Sequence, residues 1–388
     1  MTREQPGVLD ALSLLSQVAD ELVVRTVRDT HVAWVDRVHG LLRRPTGVGP
    51  SVGETLHRGI AAGLYGGLGA GLRATSRGLG AAADRGVGPR LEAAARGRFV
   101  NAAVNGLIGD RLEHERPRLA IRMAVRHRGE DVTLDTPSLT EAFPQATGRI
   151  VVFLHGLCEN ESYWNRHREQ RGTTYAEALA GDGWTPVFLR ANTGLPLREN
   201  GVALASLLSS VAAAWPVEVE RIALVGHSQG ALVMRAAAAV VAEDDDRAWP
   251  RLVSDVVTLG APHLGAPLAA QIATGSTLMG RLPESAAFGR ILDWRSVGVR
   301  DLVLGLAEDV PPLPHARYRL VAATLTRSPR HPVGAVAGDL LVRVPSAYGR
   351  SRGRALFPDA EVLHIGRADH FDLLNHPRVE RALRDWLA

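Results

Sequence analysis

From about residue 119 onward, short apolar runs alternate with longer stretches of helical periodicity. Ile150–Leu154 is apolar without a break, as a parallel strand buried on both faces requires. Pro186–Leu189, Ile222–Val225, Val253–Leu259, Tyr318–Leu325 and Glu361–Ile365 read as further strands. Thr174–Ala180, Val202–Ala214, Ala231–Ala242 and Val379–Leu387 read as helices between and after them, the third stopped by the acidic run Glu243–Asp246. Such alternation predicts a parallel sheet with helices on both faces. Ile121–Arg126 and Val132–Leu134 predict an opening hairpin. Residues 266–312 break the rhythm and hold Leu268, Ile272, Leu278, Met279, Phe288, Ile291, Leu292 and Trp294. A cap or lid over a binding site is expected there, its apolar side chains either lining an acyl site or packing onto the core.

The first 118 residues have another character. Leu9, Leu12, Leu15, Val18 and Leu22, then Val32, Val35, Val38 and Leu41, recur at helical spacing and predict an amphipathic helix or helix pair over 8–44. Residues 59–80 carry eight glycines, with Gly63, Gly67 and Gly71 four apart beside Leu64, Leu68 and Leu72. In a helix those glycines cost roughly 8 kcal/mol relative to alanine, so close packing along a small-residue groove must offset them. Membrane-surface docking, self-association and packing within the chain all fit this pattern. The domains expected are a helical region over 1–118 and an α/β domain over 119–388.

Composition narrows the functions. All basic residues among the 388 are arginine. Residues 1–120 hold 16 arginines against 12 acidic groups, whereas 121–388 balance at 29 against 29, so the second half has no basic bias and no nucleic-acid partner is expected. Cys158 is the single cysteine, which excludes an internal disulfide. Asp10, Asp20 and Glu21 interrupt any secretory signal pattern. The apolar and glycine stretch Gly59–Leu72 is 14 residues long, short of the ~20 that span a bilayer. A cytoplasmic protein is expected. Histidines and carboxylates do not gather at ligand spacing, and neither metal nor other cofactor is expected.

Gly226-His227-Ser228-Gln229-Gly230 matches the G-x-S-x-G pattern of a nucleophile elbow, and Gly349-Arg350-Ser351-Arg352-Gly353 matches it too. Context separates them. The first lies between Ile222-Ala223-Leu224-Val225 and Ala231-Leu232-Val233-Met234, a strand and a helix. The second has no helix after it, since Pro358 follows closely, and Ser351 is expected in a loop. Ser228 is therefore the candidate nucleophile: a serine hydroxyl must be exposed on a sharp turn and aimed at a base before it can attack.

Acyl transfer also needs two backbone N–H donors for the developing oxyanion. Gln229, directly after the nucleophile, supplies one, and Leu157, where the buried strand ends in Phe153-Leu154-His155-Gly156-Leu157, supplies the other. His155 lies too early in the chain to be the base and reads as a structural histidine. His370, in Asp369-His370-Phe371 after the last strand, is the base expected from the order Ser, Asp, His. His364 and His376 read as packing or capping groups. Asp339 is the chosen acid, with Asp359 as its competitor; Asp369 and Asp372 lie too near His370 to orient its ring, and Asp255 reads as a solvated charge where a strand opens. The base must be a neutral imidazole, so activity is expected to fall below about pH 6.

With these residues placed, the chain resembles the bacterial lipase and esterase branch of the α/β-hydrolase superfamily, and is also similar to lipase-like hydrolases that include glycosylphosphatidylinositol deacylases. The resemblance covers about 120–388. It rests on His155-Gly156-Leu157 followed by Trp164, the Ser228 elbow, Gly260-Ala261-Pro262-His263-Leu264-Gly265, Asp339 with Val342, and Asp369-His370-Phe371. It implies an α/β-hydrolase fold, a Ser228–Asp339–His370 triad, an oxyanion hole from Leu157 and Gln229, and an acyl ester substrate. Ala261 departs from the usual Ser or Thr, and Leu340 stands where a glycine often follows the acid. An acyltransferase using the same triad, or an interaction protein on a hydrolase scaffold, are the alternatives.

Overall fold

The computed structural model describes residues 6–24, 28, 52–240, 249–266, 296–306, 310–351 and 353–388. The helical pattern from Val32 to Leu41, the acidic run Glu243–Asp246 and the apolar residues Leu268 to Trp294 of the expected cap lie outside the described residues.

Among those described, the chain forms two compact units. The first holds residues up to Asn101 together with Pro117–Leu119. In it α1 (Val8–Val18) continues as a π-helical turn, Ala19–Val24, and packs along α2 (Val52–Asp84). The Ser13 hydroxyl donates to the carbonyl of Ser76 at 2.7 Å, and Arg73 pairs with Asp20 at 2.7 Å. Arg118 bridges Asp10 and Asp84 at 2.8 and 2.6 Å. Among the described residues, α1 does not pack on the expected groove. A Cβ at Gly63, Gly67 or Gly71 meets nothing within 4 Å among the described residues, whereas one at Gly69 would lie 2.4 Å from Asp20 Oδ1. Positions 69, 73 and 76 share one helical stripe, and that stripe carries the contact.

The second unit is built on an eight-stranded sheet in the order β10-β7-β6-β5-β3-β4-β1-β2. Its parallel strands are β3 (Arg149–Leu154), β4 (Thr185–Arg190), β5 (Arg221–His227), β6 (Val253–Leu259), β7 (Arg317–Thr324) and, at the edge, β10 (Glu361–Gly366). β1 (Ala124–His127) runs antiparallel to β4 and to the two-residue β2 (Glu130–Asp131). The hairpin turns at Arg128 and Gly129, both at positive φ (50° and 84°), the two-residue turn that matches strand twist. The second strand therefore begins at Glu130, ahead of the expected Val132–Leu134.

Alternation along β3 shows how both faces are filled. Ile150, Val152 and Leu154 join the core beneath α6 (Leu197–Ala214) and α7 (Gln229–Ala238), while Val151 and Phe153 join Trp164, Tyr175 and Leu179 on the other face. There α5 (Tyr175–Gly181) and α10 (Pro377–Leu387) cover the sheet. Each fully buried aliphatic side chain contributes about 1.5–3 kcal/mol. The helix starts have local causes: Thr174 and Glu177 form a reciprocal cap on α5, and α6 begins after Pro196, five residues ahead of the expected Val202.

Two expectations change. Asp255 is fully buried, not solvated; Arg221, Arg317 and Arg319 from the flanking strands meet its carboxylate at 3.2, 3.0 and 3.4 Å. The sheet puts it in a central strand between neighbours that carry the compensating charge. Ser351 lies in β8 (Arg350–Ser351), paired with β9 (Arg354–Ala355) in an exposed minimal hairpin and not in a loop.

Helix α3 (Ala95–Glu115) is kinked at Ile108, and its residues from Ala102 onward belong to the sheet unit, ahead of the expected boundary at 118. Gly106 lies against the loop after β3: a Cβ there would stand 2.8 and 2.9 Å from the backbone N and Cα of Cys158. Gly106→Ala should lower the thermal midpoint, because overpacking of roughly 1–3 kcal/mol exceeds the ~1 kcal/mol gained in helix propensity. Gly67→Ala, where a Cβ meets nothing within 4 Å among the described residues, should raise it. A Gly106→Ala protein as stable as the parent would refute the close approach.

Candidate active site

β5 ends at His227, and the chain turns at once into α7 through Ser228, whose φ of 52° and ψ of −121° lie outside the regions an L-residue prefers. Strain of this kind costs about 1–3 kcal/mol and persists only where the surroundings enforce it. They do so here. The Ser228 N–H donates to the Leu259 carbonyl at the end of β6 at 2.8 Å. The flanking glycines are steric necessities: a Cβ at Gly226 would lie 2.6 Å from the Ala231 backbone, and one at Gly230 2.4 Å from the Leu154 carbonyl oxygen.

The loop after β3 runs beside this turn, since a Cβ at Gly156 would approach the Ser228 Cβ to 2.9 Å. Among the described residues, the backbone N–H groups of Leu157 and Gln229 have no intramolecular acceptor; the latter opens a helix, where the first N–H groups are free by geometry. The Gln229 side chain is engaged, its amide donating to the carbonyls of Thr193 and Gly298 at 3.0 and 3.3 Å. His155 donates from Nδ1 to the Gly156 carbonyl at 2.9 Å and accepts the Ala191 N–H at Nε2 at 3.2 Å. Burial pushes its pKa down, which keeps it neutral and fixed in the loop.

His370 follows β10 and is buried. Its Nδ1 donates to Asp339 Oδ2 at 2.8 Å, and its backbone N–H to the Asp339 carbonyl at 3.0 Å. The other Asp339 oxygen accepts the N–H groups of Leu341 and Val342 at 3.0 and 2.7 Å. With Nδ1–H held by the carboxylate, Nε2 carries the lone pair; it is buried and has no hydrogen-bond partner among the described residues. Gly260, at φ 60°, passes under the ring, where a Cβ would come within 3.0 Å of Cε1. The His370 ring centroid is 4.7 Å from that of His227, the residue before Ser228.

The competing groups lie elsewhere. Asp359 is exposed. Asp369 accepts the Phe371 and Asp372 N–H groups within its own turn. His364 meets the Thr324 hydroxyl at 2.9 Å, and His376 caps α10 through the Arg378 N–H. Among the described residues no group of three metal-ligating side chains is assembled. An open cleft of about 610 Å³ is lined by Arg149, Trp184, Arg381 and Arg384, and by none of the site residues.

Sequence reasoning missed Glu159. It is 3% exposed, and its Oε2 accepts the Gly156 N–H at 2.7 Å and meets His227 Nδ1 at 3.0 Å. Burial alone would raise this carboxyl, but the His227 imidazole and the Gly156 N–H hold it below its ordinary value. For His227, burial acts to lower the pKa, and Glu159 outweighs it and raises it. The available signal was a carboxylate four positions past His155, in the loop expected to supply an oxyanion donor.

Residues 144–301 match the family model described as "Putative serine esterase (DUF676)". The stretch holds β3, the His155–Leu157 loop, the elbow and β6, and stops before Asp339 and His370. No curated protein sequence matches the chain. Similar solved structures include the mature lipase BlEst2 of Bacillus licheniformis, at 20% identity over 62% of this chain and 92% of that one, with a TM-score of 0.43. EstA of Clostridium botulinum is 13% identical over 62% and 87%, with a TM-score of 0.42. A bromoperoxidase of Bacillus anthracis is 15% identical over 62% and 92%, with a TM-score of 0.40.

His263, buried at the carboxyl end of β6, yields a pH prediction. Burial, reinforced by Arg235, pushes its pKa down from 6.5 to about 3. The unfolded chain binds a proton there that the folded chain refuses, so this contribution to stability is complete above about pH 6.5 and lost as the pH falls toward 3. Each tenfold difference in proton affinity between the two states is worth ~1.4 kcal/mol, so unfolding free energies should decline over this window more steeply for the parent than for His263→Asn. Equal slopes would show that His263 titrates normally in the fold.

Proposed function

We propose that this chain cleaves carboxylic esters through an acyl-enzyme on Ser228, a reading supported by the match of residues 144–301 to a putative serine esterase family and by the strained serine turn after a parallel strand. Ester hydrolysis as a general class is supported by the matched family model. The observation that carries the finer reading is a strained Ser228 turn beside a buried His370 whose Nδ1 is committed to Asp339.

In this reading the Ser228 Oγ attacks the ester carbonyl while His370 Nε2 takes its proton, and Asp339 keeps the ring in that tautomer and balances the imidazolium that forms. The tetrahedral oxyanion is received by the N–H groups of Leu157 and Gln229, which have no other acceptor among the described residues. The C–O bond to the alcohol breaks, and His370 returns the proton to the departing oxygen. Water then attacks the acyl-enzyme with His370 again acting as base, restoring Ser228. Glycines at 156 and 230 matter because they let the oxyanion loop approach the elbow. We assign the acyl group to the aliphatic or lipid-like class on the apolar composition of residues 266–312.

A fluorophosphonate probe should label the parent protein and Ser351→Ala equally and leave Ser228→Ala unlabelled. A folded parent that resists the probe would favour a non-catalytic scaffold. Asp339→Asn should lower kcat by about 10⁴ with the fold retained. Across p-nitrophenyl esters from acetate to palmitate, kcat/KM should rise with chain length; a maximum at acetate would reject the lipid-like substrate while leaving the esterase reading intact. Added alcohol acceptors should leave free acid as the main product, and diversion of the acyl group to the alcohol would identify a transferase.

A further inference from the structure

The mechanism above uses neither Glu159 nor His227, yet both are buried at its centre. His227 Nδ1 faces the Glu159 carboxylate at 3.0 Å and its Nε2 faces the His370 carbonyl oxygen at 3.3 Å. Both partners are acceptors, and a neutral imidazole has one N–H to give. The ring satisfies both only with two protons, as an imidazolium whose counter-charge is Glu159. The same carboxylate oxygen accepts the Gly156 N–H at 2.7 Å, and a hydrogen bond of that kind favours the ionised carboxylate.

We propose that Glu159 and His227 form a buried ion pair that positions the reacting loops, tying the oxyanion loop through Gly156, the elbow through His227 and the base loop through the His370 carbonyl into one register. The role rests on the ester-hydrolase reading. Neither residue touches the reacting atoms, so both are positioning residues. Stability alone is a poor reason for such a pair, because taking two charges out of water offsets most of their attraction. Geometry is the better one. The Leu157 N–H lies one residue past Gly156, and the oxyanion donors contribute only when aimed at the place where charge develops. The Glu159 N–H also donates back to the Gly156 carbonyl at 3.2 Å, closing a tight turn in which Cys158 takes φ 62°. Among the described residues, the Glu159 carboxylate is the acceptor that holds the Gly156 amide.

The test uses the full chain, with kcat counted per active site titrated by fluorophosphonate so that misfolded protein does not enter. Glu159→Ala should lower kcat by roughly 10²-fold with KM within about twofold, the pattern of a lost transition-state interaction. Affinity for an alkyl boronic acid, whose adduct places an oxygen in the oxyanion site, should fall in parallel. Glu159→Gln keeps an acceptor for the Gly156 N–H and should recover part of the loss. Values of kcat per site within twofold of the parent for Glu159→Ala, or a rise in KM alone, would overturn the proposal by reducing Glu159 to a packing group. A second measurement stands apart from activity: in ¹⁵N-histidine-labelled protein at pH 7, His227 should show protons on both ring nitrogens, and on one in Glu159→Gln. A neutral His227 in the parent would overturn the pair even in an active enzyme. An inert parent with a charged His227 would instead fail the esterase reading and the positioning role that rests on it, leaving the ion pair itself standing.

Discussion

Holding Ser228 at φ 52° requires a restraint on each side of it, and much of the sheet unit serves that end. β5 must arrive between β3 and β6 so that the Leu259 carbonyl can take the Ser228 N–H and the loop after β3 can pass beside the turn. α7 must start at once, which places the Gln229 N–H where no helical carbonyl reaches it. Gly226 and Gly230 follow from the same crowding, since a methyl group at either position meets backbone. The helices then have to press closely. Gly201 on α6 lets that helix approach α7, where a Cβ would stand 2.7 Å from that of Ala236. Strain at one residue is thus distributed as tight packing over several elements.

Charge is arranged by the same logic at both ends of the strands. At the carboxyl ends, Asp339 is buried with each oxygen assigned, one to His370 and one to two backbone N–H groups. Near the amino ends, Asp255 is equally buried but shared among three guanidiniums from β5 and β7. A carboxylate that must orient a single imidazole is held by backbone donors, which fix direction without competing for the ring. One that serves the sheet is held by guanidiniums on long side chains from the neighbouring strands. The difference separates an orienting carboxylate from a stabilising one more sharply than burial does, since burial is alike in the two.

Residues whose environment is set by their own strand were legible from the sequence. β3, β5 and β6 lie within two residues of the positions their apolar runs predict, because buried parallel strands leave no room for polar interruptions. Ser228 was separable from Ser351 because strand and helix flank only the first. Glu159, Asp255 and the second half of α3 were not legible, for one shared reason: their partners lie far away in sequence. His227 is 68 residues from Glu159, Arg317 is 62 from Asp255, and Gly106 is separated by three strands, β1 to β3, from the Cys158 it abuts. A charged residue in a loop reads as solvated until the partner that desolvates it is known. Cys158 shows the converse. Beside a candidate oxyanion donor it could be mistaken for a reactive thiol, but burial, with Glu159 adding, raises its pKa to about 11 and leaves it a packing group.

Leu340 remains as a departure with a physical cause. Related hydrolases often have glycine after the acid, and here a leucine takes φ 83°, a conformation that glycine adopts without penalty. The reason lies in the next two residues. The N–H groups of Leu341 and Val342 both turn back onto Asp339 Oδ1, and the Asp339 N–H reaches the Val342 carbonyl at 3.2 Å, so the chain must reverse within three residues. Gly338 takes φ 58° on the near side of the acid, and Leu340 must do the equivalent on the far side. The reversal is demanded by the carboxylate's two backbone donors, not by the identity of residue 340. A leucine there costs on the order of 1 kcal/mol in backbone strain, modest beside leaving one oxygen of a buried carboxylate unmatched. The left-handed backbone at Leu340 and that at Ser228 share a feature: each lies in a turn fixed by backbone N–H groups, which reach Asp339 Oδ1 in the one and the Leu259 carbonyl in the other.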